Sequence, residues 1–346
     1  MFSSKNPYHY LAIFSIVIAV SYIVPKLKQS FETDSEYELI KKYLLNDSPL
    51  YGFNKPKLWI HSKYEINARK WKSFYSRNST DLNQPYIHLT IKTIINHCGN
   101  DFNICLIDDE TFSKLIPSWD IDLANIAEPH KSQYRLLGMM QLLYYYGGMT
   151  LPNSFLCIKN LKGLYETGIS DGKPFVCENV NHTTNIVEDK QKLLFTPDVS
   201  IMGAPKNDPI ILEMIEDMKN MYVNGHFSNE MSFLGKMSHW CKYKINVNSM
   251  NLIGGEYIGV KTQKRKPILL ENLMEEEFLD TVPNIFGFYI PAEQLLKRTK
   301  YQWFAILPSE EVLKSNSIIV KYLKASIVDS TDEYYKTSEI RSVVAI

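Results

Sequence analysis

Lys131–Ile158 reads KSQYRLLGMMQLLYYYGGMTLPNSFLCI. From Tyr134 to Tyr146 nearly every position is apolar or aromatic, with Arg135 and Gln141 as the polar exceptions. Such a run leaves no face for solvent, so it predicts an inner helix of a sizeable domain. Gly147 and Gly148 supply the positive-φ backbone that stops a helix. Met149–Leu151 then reads as a short buried strand, Pro152-Asn153-Ser154 breaks it, and Phe155–Ile158 resumes the apolar run. A helix, a glycine pair and a strand ending in polar residues present side chains at the rim of a sheet, where open α/β sheets bind ligands.

The pattern on either side continues the alternation. Lys57–His61 is a strand candidate. Asn83–Cys98 is an amphipathic helix with Ile87, Ile91, Ile94, Ile95 and Cys98 on one stripe, Pro85 near its first turn and Gly99 after its end. Phe102–Ile107 is a buried strand ending in Asp108-Asp109, and Thr111–Leu115 begins another helix. Asp109 suits the N-cap of that helix. Pro174–Val180 is a strand with Glu178 near its end. Asp198 precedes the strand Val199–Ala204. Asp208 and Pro209 start a helix running through Tyr222. Asn229–Trp240 reads as one more helix and Ser309–Ile327 as another, with a polar tail from Asp329. Lys261–Lys266 is a basic run whose default reading is a solvated loop. Strands alternating with helices indicate an α/β architecture.

Composition sets the outer bounds. The 346 residues suit one large domain with appendages, and 45% hydrophobic with 22% charged residues is ordinary for a globular protein. With 38 basic and 38 acidic residues the net charge is zero, and no nucleic-acid partner is expected. Tyr8–Val24 contains no Lys, Arg, Asp or Glu and ends at Pro25, at the lower length limit for spanning a bilayer. The poor cleavage context after it favours an uncleaved single-pass anchor over a signal peptide. The expected layout is a membrane anchor over 1–28, a stem over 29–54, one α/β domain over 55–328 and a tail over 329–346. Acceptor triplets for N-glycosylation at Asn46, Asn78 and Asn181 agree with a lumenal domain. The five cysteines are scattered without a C-x-x-C pair, and the odd count argues against a complete disulfide framework.

The central stretch resembles the core motif of the DxD-containing sugar-nucleotide glycosyltransferases of the family 32 type, which includes mannosyltransferases. Ser132, Arg135, Tyr146, Gly147 and Gly148 stand in register with that pattern. Pro56, Lys57, Ile60 and His61 resemble its Pro-Lys-x-Ile-His opening, with one extra residue before the isoleucine. The resemblance covers roughly 56–206. It implies a glycosyltransferase A-type, Rossmann-like mixed sheet flanked by helices, and a nucleotide-sugar donor passing a hexose to a glycan or lipid acceptor. It implies donor-binding roles for His61, Asp108, Arg135, Gly147, Gly148, Asn153 and Ser154. The departure falls at the decisive point: Pro152-Asn153-Ser154 stands where the family has Asp-x-Asp.

That departure bears on the chemistry. Mg²⁺ and Mn²⁺ are hard ions that favour charged oxygen ligands, and Asn153 and Ser154 offer neutral ones, so a DxD-type metal site is expected to be absent or weak. Either cations take over, with Arg135 leading and Lys131, Lys159 and Lys162 helping, or transfer has been lost and a glycan- or nucleotide-sugar-binding scaffold remains. The alternative role for Arg135 is a buried salt bridge. Asp198 and Glu178 are the acidic candidates for catalysis, for a displaced metal site or for contacts to sugar hydroxyls, with a turn or strand-end role as the alternative for each. No dinucleotide, P-loop, zinc-protease or nucleophile-elbow motif occurs.

Overall fold

The computed structural model describes residues 55–62, 84–181, 194–224 and 230–327. Tyr8–Val24, the stem and the polar tail lie outside the described residues. So do the acceptor triplets at Asn46 and Asn78. Among the described residues no helix is long and apolar enough to cross a membrane.

A six-stranded mixed sheet carries the fold, in the order β2-β1-β3-β6-β5-β7. Its strands are β1 (Lys57–His61), β2 (Asn103–Ile107), β3 (Gly148–Thr150), β5 (Phe175–Val180), β6 (Phe195–Ala204) and β7 (Asn251–Ile253). A second, two-stranded sheet pairs β4 (Phe155–Cys157) with β8 (Gly287–Tyr289). β1 pairs parallel with both β2 and β3, whereas β6 runs antiparallel to β3 and β5. Central position explains the composition of β1: Leu58, Trp59 and Ile60 are wholly buried, as a strand covered on both faces must be.

Six helices matter for the site: α1 (Tyr86–Cys98), α2 (Thr111–Leu115), α3 (His130–Tyr146), α4 (Lys162–Gly168), α5 (Pro209–Asn224) and α6 (Glu230–Asn246). The inner-helix expectation holds for α3, since no residue from Lys131 to Tyr146 is exposed. It packs on α5 and α6, and α6 covers β6. Asp208 caps α5 as expected, its Oδ1 accepting from the Ile210 and Ile211 amides at 2.8 and 3.0 Å. Two boundaries differ from expectation. The segment read as one helix over Ser309–Ile327 breaks after Leu313 and is helical again at 318–327. The intervening Ser315-Asn316-Ser317 offers side-chain hydrogen bonds that compete with helix. The helix expected over Asn229–Trp240 runs on to Asn246, where the Val247 amide still reaches the Tyr243 carbonyl.

The glycine pair does more than end a helix. Gly147 and Gly148 have φ of 70° and 98°. A Cβ on Gly148 would lie 2.1 Å from the Lys57 carbonyl oxygen, so β3 enters the sheet pressed against the backbone of β1. The Trp59 indole donates to the Gly147 carbonyl at 3.0 Å and satisfies an acceptor at the helix end. Gly148→Ala therefore carries both a backbone and a steric penalty, about 2–5 kcal/mol together. Gly172→Ala, at φ 70° with nothing within 4 Å of the added carbon, carries the backbone penalty alone. Urea denaturation of the two variants should show Gly148→Ala as the more damaging. Equal losses would refute the close-approach account.

Candidate functional site

The chain runs from β1 through α1 to β2 on one side, then through α2 and α3 to β3 on the other side of β1. Strand order thus reverses at β1, and the carboxyl ends of the parallel strands at such a reversal form the binding crevice of open α/β sheets. Register aligns them: His61 lies opposite Ile107, and Trp59 opposite Thr150. The Ser62 amide donates to the Ile107 carbonyl, and the Leu151 amide to that of Trp59. The rim therefore consists of His61-Ser62, Asp108-Asp109 and Leu151–Ser154.

Asp109 organises one end of this rim. Its carboxylate accepts two bonds from Arg135, Nε at 2.7 Å and a terminal nitrogen at 2.6 Å. His61 Nε2 lies 2.9 Å from the same carboxylate. The other Arg135 terminal nitrogen reaches Glu128 at 3.1 Å. The Arg135 side chain is only 9% exposed, so its charge requires these partners. The Arg135 and His61 bonds outweigh the cost of burial and hold the Asp109 carboxyl well below the usual carboxylate range. The His61 ring stacks flat on Phe112, at 5.6 Å between centroids and 7° between planes.

These contacts bear on two expectations. Asp108, not Asp109, caps α2: its Oδ1 accepts from the Thr111 amide at 2.9 Å and from the Thr111 hydroxyl at 2.6 Å. Arg135 is held in a buried salt bridge with Asp109 and Glu128, the alternative role named for it above. Glu128 was missed altogether. Its Oε2 accepts from the backbone and hydroxyl of Ser132 and so caps the first turn of α3. A glutamate immediately before the proline at a helix start was the available signal.

The middle of the rim is built from backbone. The Asn153 carbonyl accepts from the Thr90 hydroxyl at 2.6 Å. Ser154 is 2% exposed and its hydroxyl donates to the Ile290 carbonyl at 2.7 Å, away from any open surface. Gly147 and Gly148 stand at the opposite end of β3 from the rim, and set where the strand runs.

The remaining candidates lie apart. Asp198, on β6, accepts from Asn179 at 2.7 Å and from the Ser200 amide at 2.8 Å. Glu178 is next to Asn179 on β5, so its side chain takes the other face of the sheet. There it pairs with Lys261 at 2.5 Å, and Lys261 also reaches Glu256 at 3.0 Å. Lys261, read as part of a solvated loop, is thus 12% exposed and held by two carboxylates. Among the expected helper cations, Lys162 pairs with Asp101 before the start of β2, at the far end of the strands, and Lys159 donates to the Pro283 carbonyl. Lys131 lies half-buried in the first turn of α3.

This donor set does not fit a divalent cation. Among the described residues no three His, Cys, Asp or Glu side chains are grouped to hold one. The carboxylates of Asp109 and Asp198 are already engaged, and Asn153 and Ser154 are neutral.

A pocket of about 310 Å³ opens beside the rim, lined by Ile126, His130, Gln133, Tyr134 and Tyr222. Tyr222, near the end of α5, donates to the Gln133 carbonyl at 2.7 Å and stands 4.8 Å from the Tyr134 ring. Two residues after Gln133 on α3 comes Arg135, so pocket and rim share one end of that helix. The inward-facing aromatic run of α3 was legible in sequence; its meeting with Tyr222 was not.

No protein-family model matches the chain, and neither does any curated protein. Several solved structures are similar to it. The PaToxG glycosyltransferase aligns over 64% of this chain and 81% of its own, at 13% identity and a TM-score of 0.34. The apo-form glycosyltransferase GlyE of Streptococcus pneumoniae TIGR4 aligns over 82% and 64%, at 8% and 0.40. The galactosyltransferase LgtC, in complex with donor and acceptor sugar analogues, aligns over 74% and 94%, at 11% and 0.38. All three scores lie below 0.5, and the fold assignment rests on the strand order of this chain.

The Asp109 network predicts a pH-dependent stability. Its carboxyl is depressed in the folded state, so the stabilisation is complete above the unfolded carboxylate value of about 3.9 and is lost as pH falls below it. Arg135→Met should cost about 3 kcal/mol at neutral pH, the low end for breaking a buried pair, because Asp109 keeps 29% exposure. Asp109→Asn should flatten the acid limb of the stability curve measured by urea denaturation at stepped pH. An unchanged acid limb would remove the network's assigned role.

Proposed function

We propose that the chain is a membrane-anchored glycosyltransferase of the DxD-related type, which binds a nucleotide-sugar at the β1/β3 rim and transfers a hexose without a DxD metal. The observation that supports this reading is the reversal of strand order at β1, which brings His61, Asp109 and Asn153 to one end of the parallel strands, where open α/β sheets bind ligands. The donor would lie across the strand ends. His61, oriented by Asp109 and fixed against Phe112, would meet its charged part. The Asn153 side chain would contact it at the end of β3, and Asp198 would meet sugar hydroxyls on the β6 side. Arg135 acts through Asp109 in this scheme. The tyrosine-lined pocket at the start of α3 would take the acceptor, since aromatic faces beside hydrogen-bonding groups suit pyranose rings. Tyr8–Val24 would hold the domain at a membrane, on the lumenal side.

The test is calorimetric titration of UDP- and GDP-hexoses into the full chain in detergent, in EDTA and in Mn²⁺, with release of nucleoside diphosphate followed in parallel. Binding in EDTA with little gain from Mn²⁺, together with turnover on a glycan or lipid acceptor, is expected. His61→Ala should weaken donor binding on the order of tenfold, the loss of one hydrogen bond to a charged group. Binding without turnover would support a catalytically silent binding protein instead. No binding in either buffer would overturn both readings.

A further inference from the structure

Cys98 is the last residue of α1 and Cys157 the last of β4. Both are completely buried, and their sulfurs stand 3.8 Å apart across a sequence separation of 59 residues. Neither takes part in the rim. We propose that Cys98 and Cys157 are a disulfide site, closed during folding in an oxidising compartment, which ties α1 to the strand that follows the rim segment.

The surroundings have already brought these elements together. The Thr93 hydroxyl accepts from the Cys157 amide at 3.0 Å, and the Thr90 hydroxyl donates to the Asn153 carbonyl. The Ser326 hydroxyl donates to the Cys157 carbonyl at 2.6 Å and contacts His97, next to Cys98, at 2.9 Å. The backbone on both sides is thus fixed by buried polar bonds. Bond formation needs the sulfurs to close from 3.8 Å to about 2.0 Å.

The oxidant is a small-molecule disulfide such as oxidised glutathione. Written with Cys98 reacting first, its thiolate attacks one glutathione sulfur and releases the other as a thiolate. Cys157, on losing its proton, then attacks the Cys98 sulfur of the mixed disulfide and releases the second glutathione. Two electrons and two protons pass to the oxidant, giving two glutathione thiols and one bridge. Because neither sulfur is exposed in the folded chain, exchange precedes closure of the core, and the finished bridge is shielded from reductant.

The experiment folds the full chain in detergent with reduced and oxidised glutathione, denatures it with N-ethylmaleimide and maps the peptides by mass spectrometry without reduction. The expected map shows a linked Cys98–Cys157 peptide and alkylation confined to Cys105, Cys177 and Cys241. Thermal melting of the oxidised chain should occur several degrees above that of the reduced chain, as expected when a long loop is closed. Cys157→Ala should melt alike in both conditions. Alkylation of all five thiols after folding with oxidised glutathione, or a bridge between any other pair, would overturn the proposal. Neither result depends on nucleotide-sugar binding.

Discussion

The contact on which the other arrangements depend is the seating of Gly148 against the Lys57 carbonyl. With hydrogen alone on that carbon, the backbone of β3 can lie against β1 and pair with it in parallel. The Trp59 indole then closes over the Gly147 carbonyl. From this follow the alignment of the strand ends, the direction of α3 and the height at which Arg135 meets Asp109. The inner helix and the aligned strand ends are two results of one close approach.

Charge is handled locally. The chain is neutral overall, with equal numbers of acidic and basic residues, and two of its little-exposed cations each sit in a small closed group. Arg135 lies between Asp109 and Glu128; Lys261 lies between Glu178 and Glu256. Each group places a cation of low exposure against two carboxylates, which compensates for the water it has lost. The Asp109 group stands at the rim and adds an imidazole, while the Glu178 group braces β5 against the segment after β7.

Much of the architecture was readable because periodicity and breakers report burial directly. The apolar run through Tyr146, the glycine pair after it and the isoleucine stripe of α1 each named their element. The site was less readable, because it depends on which neighbour a side chain finds across the fold. Asp108 and Asp109 are adjacent and chemically alike, and only the path of α3 decides that the second meets Arg135 while the first caps α2. Glu178 and Asp198 are both acidic candidates in the sequence, yet strand alternation sends them to opposite faces of the sheet. Ser154 sits in the motif position but turns inward to Ile290, a contact that spans 136 residues and leaves no local trace.

The Thr90 hydroxyl that grips the Asn153 carbonyl has an evolutionary corollary. The bend at the end of β3 is anchored there through the main chain, and through Ser154 it is bolted to a distant strand end. Substitution at Pro152 or of the Asn153 side chain therefore leaves the scaffold's shape largely untouched. A lineage on this framework can exchange acidic for neutral residues at the mouth of the crevice, and so drift between chemistries, without first having to rebuild its foundations.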